Sequence, residues 1–162
     1  HSNSGRLCWL NREVKLVIIR QAEQGDLPYV YTMYREGLLE LGETKLVESY
    51  MINKIVTSRQ LAPCFVLTID GIIRGMAGLT LVHSSHNGDA MLSEYMFYIQ
   101  PKFRGLKQLS ALVNKTKEFA LSNNLPLRFD FLNQSVSPRV RERFAAMFGF
   151  TVTSVVGEFN NG

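Results

Sequence analysis

Cysteine is scarce in this chain: Cys8 and Cys64 are its only two in 162 residues. Two isolated thiols offer neither a zinc-ligand spacing nor a disulfide framework. Cys64 lies inside the apolar run CFVLTI and reads as a small core residue rather than a nucleophile. Histidine is nearly as sparse. His83 and His86 share the polar stretch HSSHNGD, and no third ligand stands at a suitable spacing, so a surface loop is expected and no metal site. Long apolar runs are missing too. A stretch such as residues 76–82 is far short of the roughly 20 residues a membrane span needs, so no membrane association is expected. No basic segment followed by an apolar one opens the chain, so secretion is not signalled and a cytoplasmic protein is expected. Repeats, low-complexity tracts and Pro/Gly/Ser linkers are also lacking.

What remains is 46% hydrophobic and 20% charged, with core enough for one domain. That domain is read over 15–162, behind an N-terminal extension at 1–14 whose first five residues (HSNSG) read as a polar remnant. The net charge is +4, carried by scattered lysines and arginines. A mild positive balance suits an anionic ligand such as a nucleotide cofactor. Nucleic-acid binding would call for a basic stripe interleaved with aromatics, and there is none.

Periodicity supplies the elements. Residues 15–20 (KLVIIR) form a β-branched strand. Asp26 and Pro28 open a helix whose Leu27, Val30, Tyr31, Tyr34, Leu38 and Leu41 recur at helical spacing until Gly42. Thr44 is an N-cap candidate for a second helix, with Val47, Met51 and Ile55 on one face. Residues 64–69 and 72–82 flank Asp70-Gly71, the strongest hairpin signal in the chain. A long strand over 89–100, a helix over 105–123 and a strand over 127–132 follow. Ser137-Pro138 and Gly149 then bracket another helix, and 151–159 reads as a last strand. The order β-α-α-β-β-β-α-β-α-β predicts an α/β fold, a mixed and mostly antiparallel sheet with helices on both faces.

Four stretches resemble the GNAT N-acetyltransferase superfamily. They are IIRQAEQGDLP (18–28), VLTIDGIIRGMAGLTLV (66–82), YIQPKFRG (98–105) and RERFAAMFGF (141–150), in the family's order and spread over about residues 15–158. The resemblance implies acetyl transfer from acetyl-CoA to an amine of a small molecule or protein. It places the cofactor's pyrophosphate at Arg104, Gly105, Leu106, Lys107, Gln108 and Leu109. There a helix start would offer backbone N–H groups and the positive end of its dipole. Arg104 and Gly105 match the family's R-G-x-G-x-G pattern, whereas Lys107 and Leu109 stand where it has glycines. Phe97, Tyr98 and Ile99 would meet the pantetheine and acetyl group through their main chain.

The resemblance also suggests catalytic groups. Glu94, in an otherwise apolar strand, is the candidate base, and burial beside aromatics would raise its pKa. Asp130 is a second candidate. The tyrosine that many relatives place before the final Gly-Phe is replaced here by Ala145, leaving Tyr95 or Tyr98 as substitutes or a thiolate that leaves unassisted. Tyr31, Tyr34, Arg35 and Glu36 of the first helix are offered to the acceptor, against a plain packing role for the aromatic stripe. The short C-terminus suggests an open acceptor cleft and a homodimer formed through the last strand. The competing reading is a catalytically weak GNAT-fold module that binds a protein partner.

Overall fold

In the computed structural model, residues 15–130 and 137–152 are described. Five strands form one sheet in the order β1-β2-β3-β4-β5: β1 (Val17–Gln21), β2 (Cys64–Ile69), β3 (Ile72–His83), β4 (Ala90–Ile99) and β5 (Leu127–Phe129). The first three pairings are antiparallel and β4·β5 is parallel. The helices are α1 (Leu27–Glu40), α2 (Glu48–Leu61), α3 (Leu106–Ser122) and α4 (Pro138–Phe148). This is the predicted order through α4. The strand expected over 151–159 lies outside the described residues beyond Val152, and so does the end of the one expected over 127–132.

Alternation along the strands builds two apolar layers. Val66 and Met76 face Val30 and Met33 of α1 and Ile55 of α2. Phe65, Leu67, Leu79 and Leu92 face Leu112 and Ala120 of α3. Fully burying a leucine contributes about 1.5–3 kcal/mol, so this second layer anchors the sheet centre. A third cluster, Val113, Phe129, Phe144 and Phe148, seats α4 beside α3.

The turns follow their residues. Asp70 and Gly71 both take positive φ (52° and 81°), the geometry a two-residue hairpin needs. Ser137 accepts the Val140 N–H at the start of α4, and Gly149 ends that helix at φ 75°. Two expected caps differ. Asp26 does not cap α1; its carboxylate accepts the Glu23 N–H at 2.7 Å and binds Arg20 instead. The bond with Arg20 holds Asp26 below the usual carboxylate range. Thr44 does not cap α2, which starts after Val47. Gly42 is left-handed and the Glu43 N–H closes back on Leu38, so α1 is terminated before a new helix can begin.

One irregularity positions the site. Gly78 pairs with Met96 and Leu79 with Glu94, which makes Tyr95 an extra residue in β4. The bulge reverses the alternation. Glu94 stays beside Leu79 on the α3 face, while Met96 and Tyr98 move to the α1 face. Without it, residues 94, 96 and 98 would share one side.

Candidate active site

Among the described residues, β4 has two neighbours only as far as Glu94, which pairs with Phe129 at the end of β5. Past that point β5 stops, and a cleft of about 620 Å³ opens along residues 94–99. Its other walls are Gly37, Glu40 and Leu41 from the end of α1, Arg104, Gly105 and Leu109 from the start of α3, and Asp130. The Gln100 N–H bonds Arg74 of β3, so by alternation Tyr98 also turns its main chain toward β3. Phe97 and Ile99 therefore turn theirs toward the cleft, and Arg104 Nε donates to the Ile99 carbonyl there at 2.7 Å. Of the three residues expected to act through the main chain, Tyr98 does not present its backbone to this edge. It contributes a ring and a hydroxyl.

Gly105 is the N-cap of α3 and supplies no side-chain acceptor. The first intrahelical bond runs from the Leu109 N–H to the Gly105 carbonyl, so the amides of Leu106, Lys107 and Gln108 precede the helical ladder. Lys107 and Leu106 are exposed and Leu109 packs inward against the Phe129 cluster. The side chains that replace the family's glycines are thus directed away from the helix axis. A helix start of this kind, at the edge of a cleft, can receive an anion. Arg104 is otherwise engaged. Its Nη1 donates to Glu40 Oε1 at 2.7 Å, Nη2 meets Glu40 Oε2, and the guanidinium lies 5.5 Å from the centre of the Tyr98 ring. Arg104, expected among the cofactor-binding residues, ties the loop to α1 in this structure.

Glu94 is 2% exposed, and its Oε2 accepts the Asp130 N–H at 3.0 Å. Asp130 spends its own carboxylate on Ser93 Oγ (3.2 Å) and Arg128 Nε (3.1 Å). Both Glu94 and Asp130 line the cleft. Tyr98 donates its hydroxyl to Glu36 Oε2 at 3.1 Å, and burial together with that carboxylate pushes its pKa up to about 12. Tyr95 is half-buried against Gly78, its hydroxyl has no partner among the described residues, and burial drives its pKa upward. A thiolate whose thiol has a pKa of about 8.5 draws a proton poorly from either phenol. Ala145 is buried in the α4 core, away from the cleft.

Of the four α1 residues expected for the acceptor, Tyr31, Tyr34 and Arg35 do not line the cleft, and Glu36 bonds the hydroxyl of Tyr98 in its wall. Tyr31 and Tyr34 pack into the α1–α2 layer, Tyr34 edge-on to Tyr95 with centroids 5.5 Å apart, and Arg35 points to solvent. Gly37 and Glu40 are there instead. Their spacing with Glu36 marks one helical face, a signal present in the sequence but masked by the tyrosines. Cys64 is buried, with its thiol pushed up to about 12 by burial, as a core role requires. Among the described residues no cluster of three metal-ligating side chains occurs, and no helix is long and apolar enough to cross a membrane.

No protein-family model and no curated protein sequence matches the chain. Solved structures do. A predicted acetyltransferase from Clostridium acetobutylicum, solved with acetyl-CoA, superposes with a TM-score of 0.70 at 13% identity, over 90% of this chain and 96% of that one. The chain has the GNAT fold. The aminoglycoside N-acetyltransferase AAC(6')-Iy in complex with CoA matches at 0.67 and 15% identity, over 93% of this chain and 97% of that one. A transcriptional regulator from Bacillus halodurans shares the GNAT fold equally well, at 0.66 and 17% identity, with 90% and 99% covered. At such identities the likeness concerns architecture, and the site must carry the chemistry.

Proposed function

We propose that the chain is an N-acetyltransferase, one domain over 15–162, that moves the acetyl group of acetyl-CoA to an amine. The observation that carries this reading is the cleft at the end of β5, where the open edge of β4 meets the start of α3 beside a buried glutamate. Acetyl-CoA would supply a thioester already activated for attack. The amides of Leu106, Lys107 and Gln108 hold its pyrophosphate, and the main chain of Phe97 and the N–H of Ile99 orient the pantetheine and acetyl group. Glu94 takes the proton released as the amine nitrogen bonds to the acetyl carbon and the carbon–sulfur bond breaks. With Tyr98 committed to Glu36, the departing thiolate takes its proton from solvent; a thiol pKa of about 8.5 makes it a serviceable leaving group.

A second reading, a catalytically weak GNAT-fold module that binds a protein partner, is favoured by one feature. No phenol at the cleft is tuned to donate a proton. Thermal denaturation with acetyl-CoA and CoA separates the two. A cofactor that binds the folded state raises the melting temperature by mass action. Stabilisation that grows with ligand concentration supports the enzyme, and no shift at millimolar acetyl-CoA or CoA removes it.

A further inference from the structure

Glu36 and Glu40 stand one turn apart on the face of α1 that meets the end of β4. Glu36 accepts hydrogen bonds from the Tyr98 hydroxyl at 3.1 Å and the Gln100 amide at 3.3 Å. Glu40 takes both Nη atoms of Arg104, whose remaining Nε is on the Ile99 carbonyl and whose plane lies over Tyr98. Arg104 directly precedes Gly105, the N-cap of α3. Three of its N–H groups are thus held within the protein, on a side chain that is 42% exposed, and the same bonds fix the residue from which the helix departs.

We propose that Glu40 is a positioning residue for cofactor binding: through Arg104 it aims the first amides of α3 and masks the Ile99 carbonyl on the cleft edge. The inference rests on the acetyl-CoA reading of this cleft. Glu40 touches no reacting atom. It keeps Arg104 on the Ile99 carbonyl and holds the α1 wall and the loop at one separation. The bond to Arg104 holds the Glu40 carboxyl below the usual carboxylate range, so the brace is intact at neutral pH.

Electrostatics and positioning predict opposite signs, which makes the idea testable. Removing a negative charge beside an anion-binding loop should tighten CoA binding if charge alone matters. If Glu40 positions the loop, Glu40→Ala weakens it. The experiment is calorimetric titration of CoA into the wild type, Glu40→Ala, Arg104→Lys and the double variant, with amide hydrogen exchange on each free protein. We expect affinity to fall about fivefold or more in both single variants, with the double no worse than either, as for two members of one unit. The amides of Leu106–Gln108 should exchange faster in Glu40→Ala. Equal or tighter CoA binding by Glu40→Ala, or unchanged exchange at those amides, overturns the proposal. Near-wild-type affinity of Arg104→Lys also overturns it, because a direct phosphate contact survives that exchange. A wild type that fails to bind CoA removes the acetyltransferase reading and this inference with it, an outcome distinct from the others.

Discussion

The two halves of β4 differ in what they are bonded to. Residues 90–94 lie between β3 and the Leu127–Phe129 strand and pair along both edges by the end of the half. Among the described residues, 96–99 pair with β3 alone, and their second edge faces the cleft. The first half contributes cohesion, because every inward side chain has a layer above it. In the proposed function the second half carries the chemistry, because a strand edge with no neighbour among the described residues offers its main chain to a ligand. The Tyr95 bulge is the joint between them, and Glu94 sits immediately on the cohesive side of it.

Glu94→Gln should separate the halves most sharply. The amide oxygen can still accept the Asp130 N–H while the base is lost. Acetyl transfer should fall about 10²- to 10⁴-fold, measured by thiol release, with CoA affinity within about twofold of wild type. Unchanged turnover would take Glu94 out of the mechanism. Leu92→Ala, in the cohesive half, should cost about 2–5 kcal/mol in urea unfolding, since Leu92 is 1% exposed against α3. CoA affinity of the folded fraction should not move. A variant that loses binding but not stability would contradict the division.

Gly78→Val tests the joint. A Cβ at 78 would lie 2.3 Å from the Tyr95 ring, so the ring or the bulge must shift. Destabilisation of about 1–3 kcal/mol is expected, together with weaker CoA binding. The smallest effect concerns pH. Tyr34, Tyr95 and Tyr98 are all raised by burial, and Tyr98 to about 12. The unfolded phenol ionises near 10, so folding favours the neutral form; that stability is complete below pH 10 and is lost as pH rises toward 12. Absorbance titration of the native protein should show these three of the six tyrosines ionising late, coupled to alkaline unfolding. Ionisation of all six near pH 10 without unfolding would refute it.

Most of the fold was legible because its signals are local. The Asp70-Gly71 turn, the Ser137-Pro138 start and Gly149 end of α4, and the short apolar, β-branched strands each announce themselves within a few residues. Glu94 was legible for a related reason: a lone carboxylate in an apolar strand is costly, so it marks itself. The bulge at Tyr95 was not, since it is defined by pairing across β3. Gly37 and Glu40 of the α1 wall were missed beside the expected Glu36 because Tyr31 and Tyr34 share the helix, and only tertiary packing decides which face meets β4. Arg104 matched a motif, but its partner Glu40 is 64 residues away. No periodicity links them.

Gly37 shows how the gap between α1 and β4 is gauged. A Cβ there would stand 2.5 Å from the Met96 sulfur and 3.3 Å from the Tyr98 Cβ. The spacing of the two walls is therefore set by an atom the chain omits. A larger residue at this position would act as a shim, spreading the walls while leaving Glu94 and the start of α3 chemically untouched. Position 37 is thus where the range of accepted molecules could change first, by calibre rather than by catalysis.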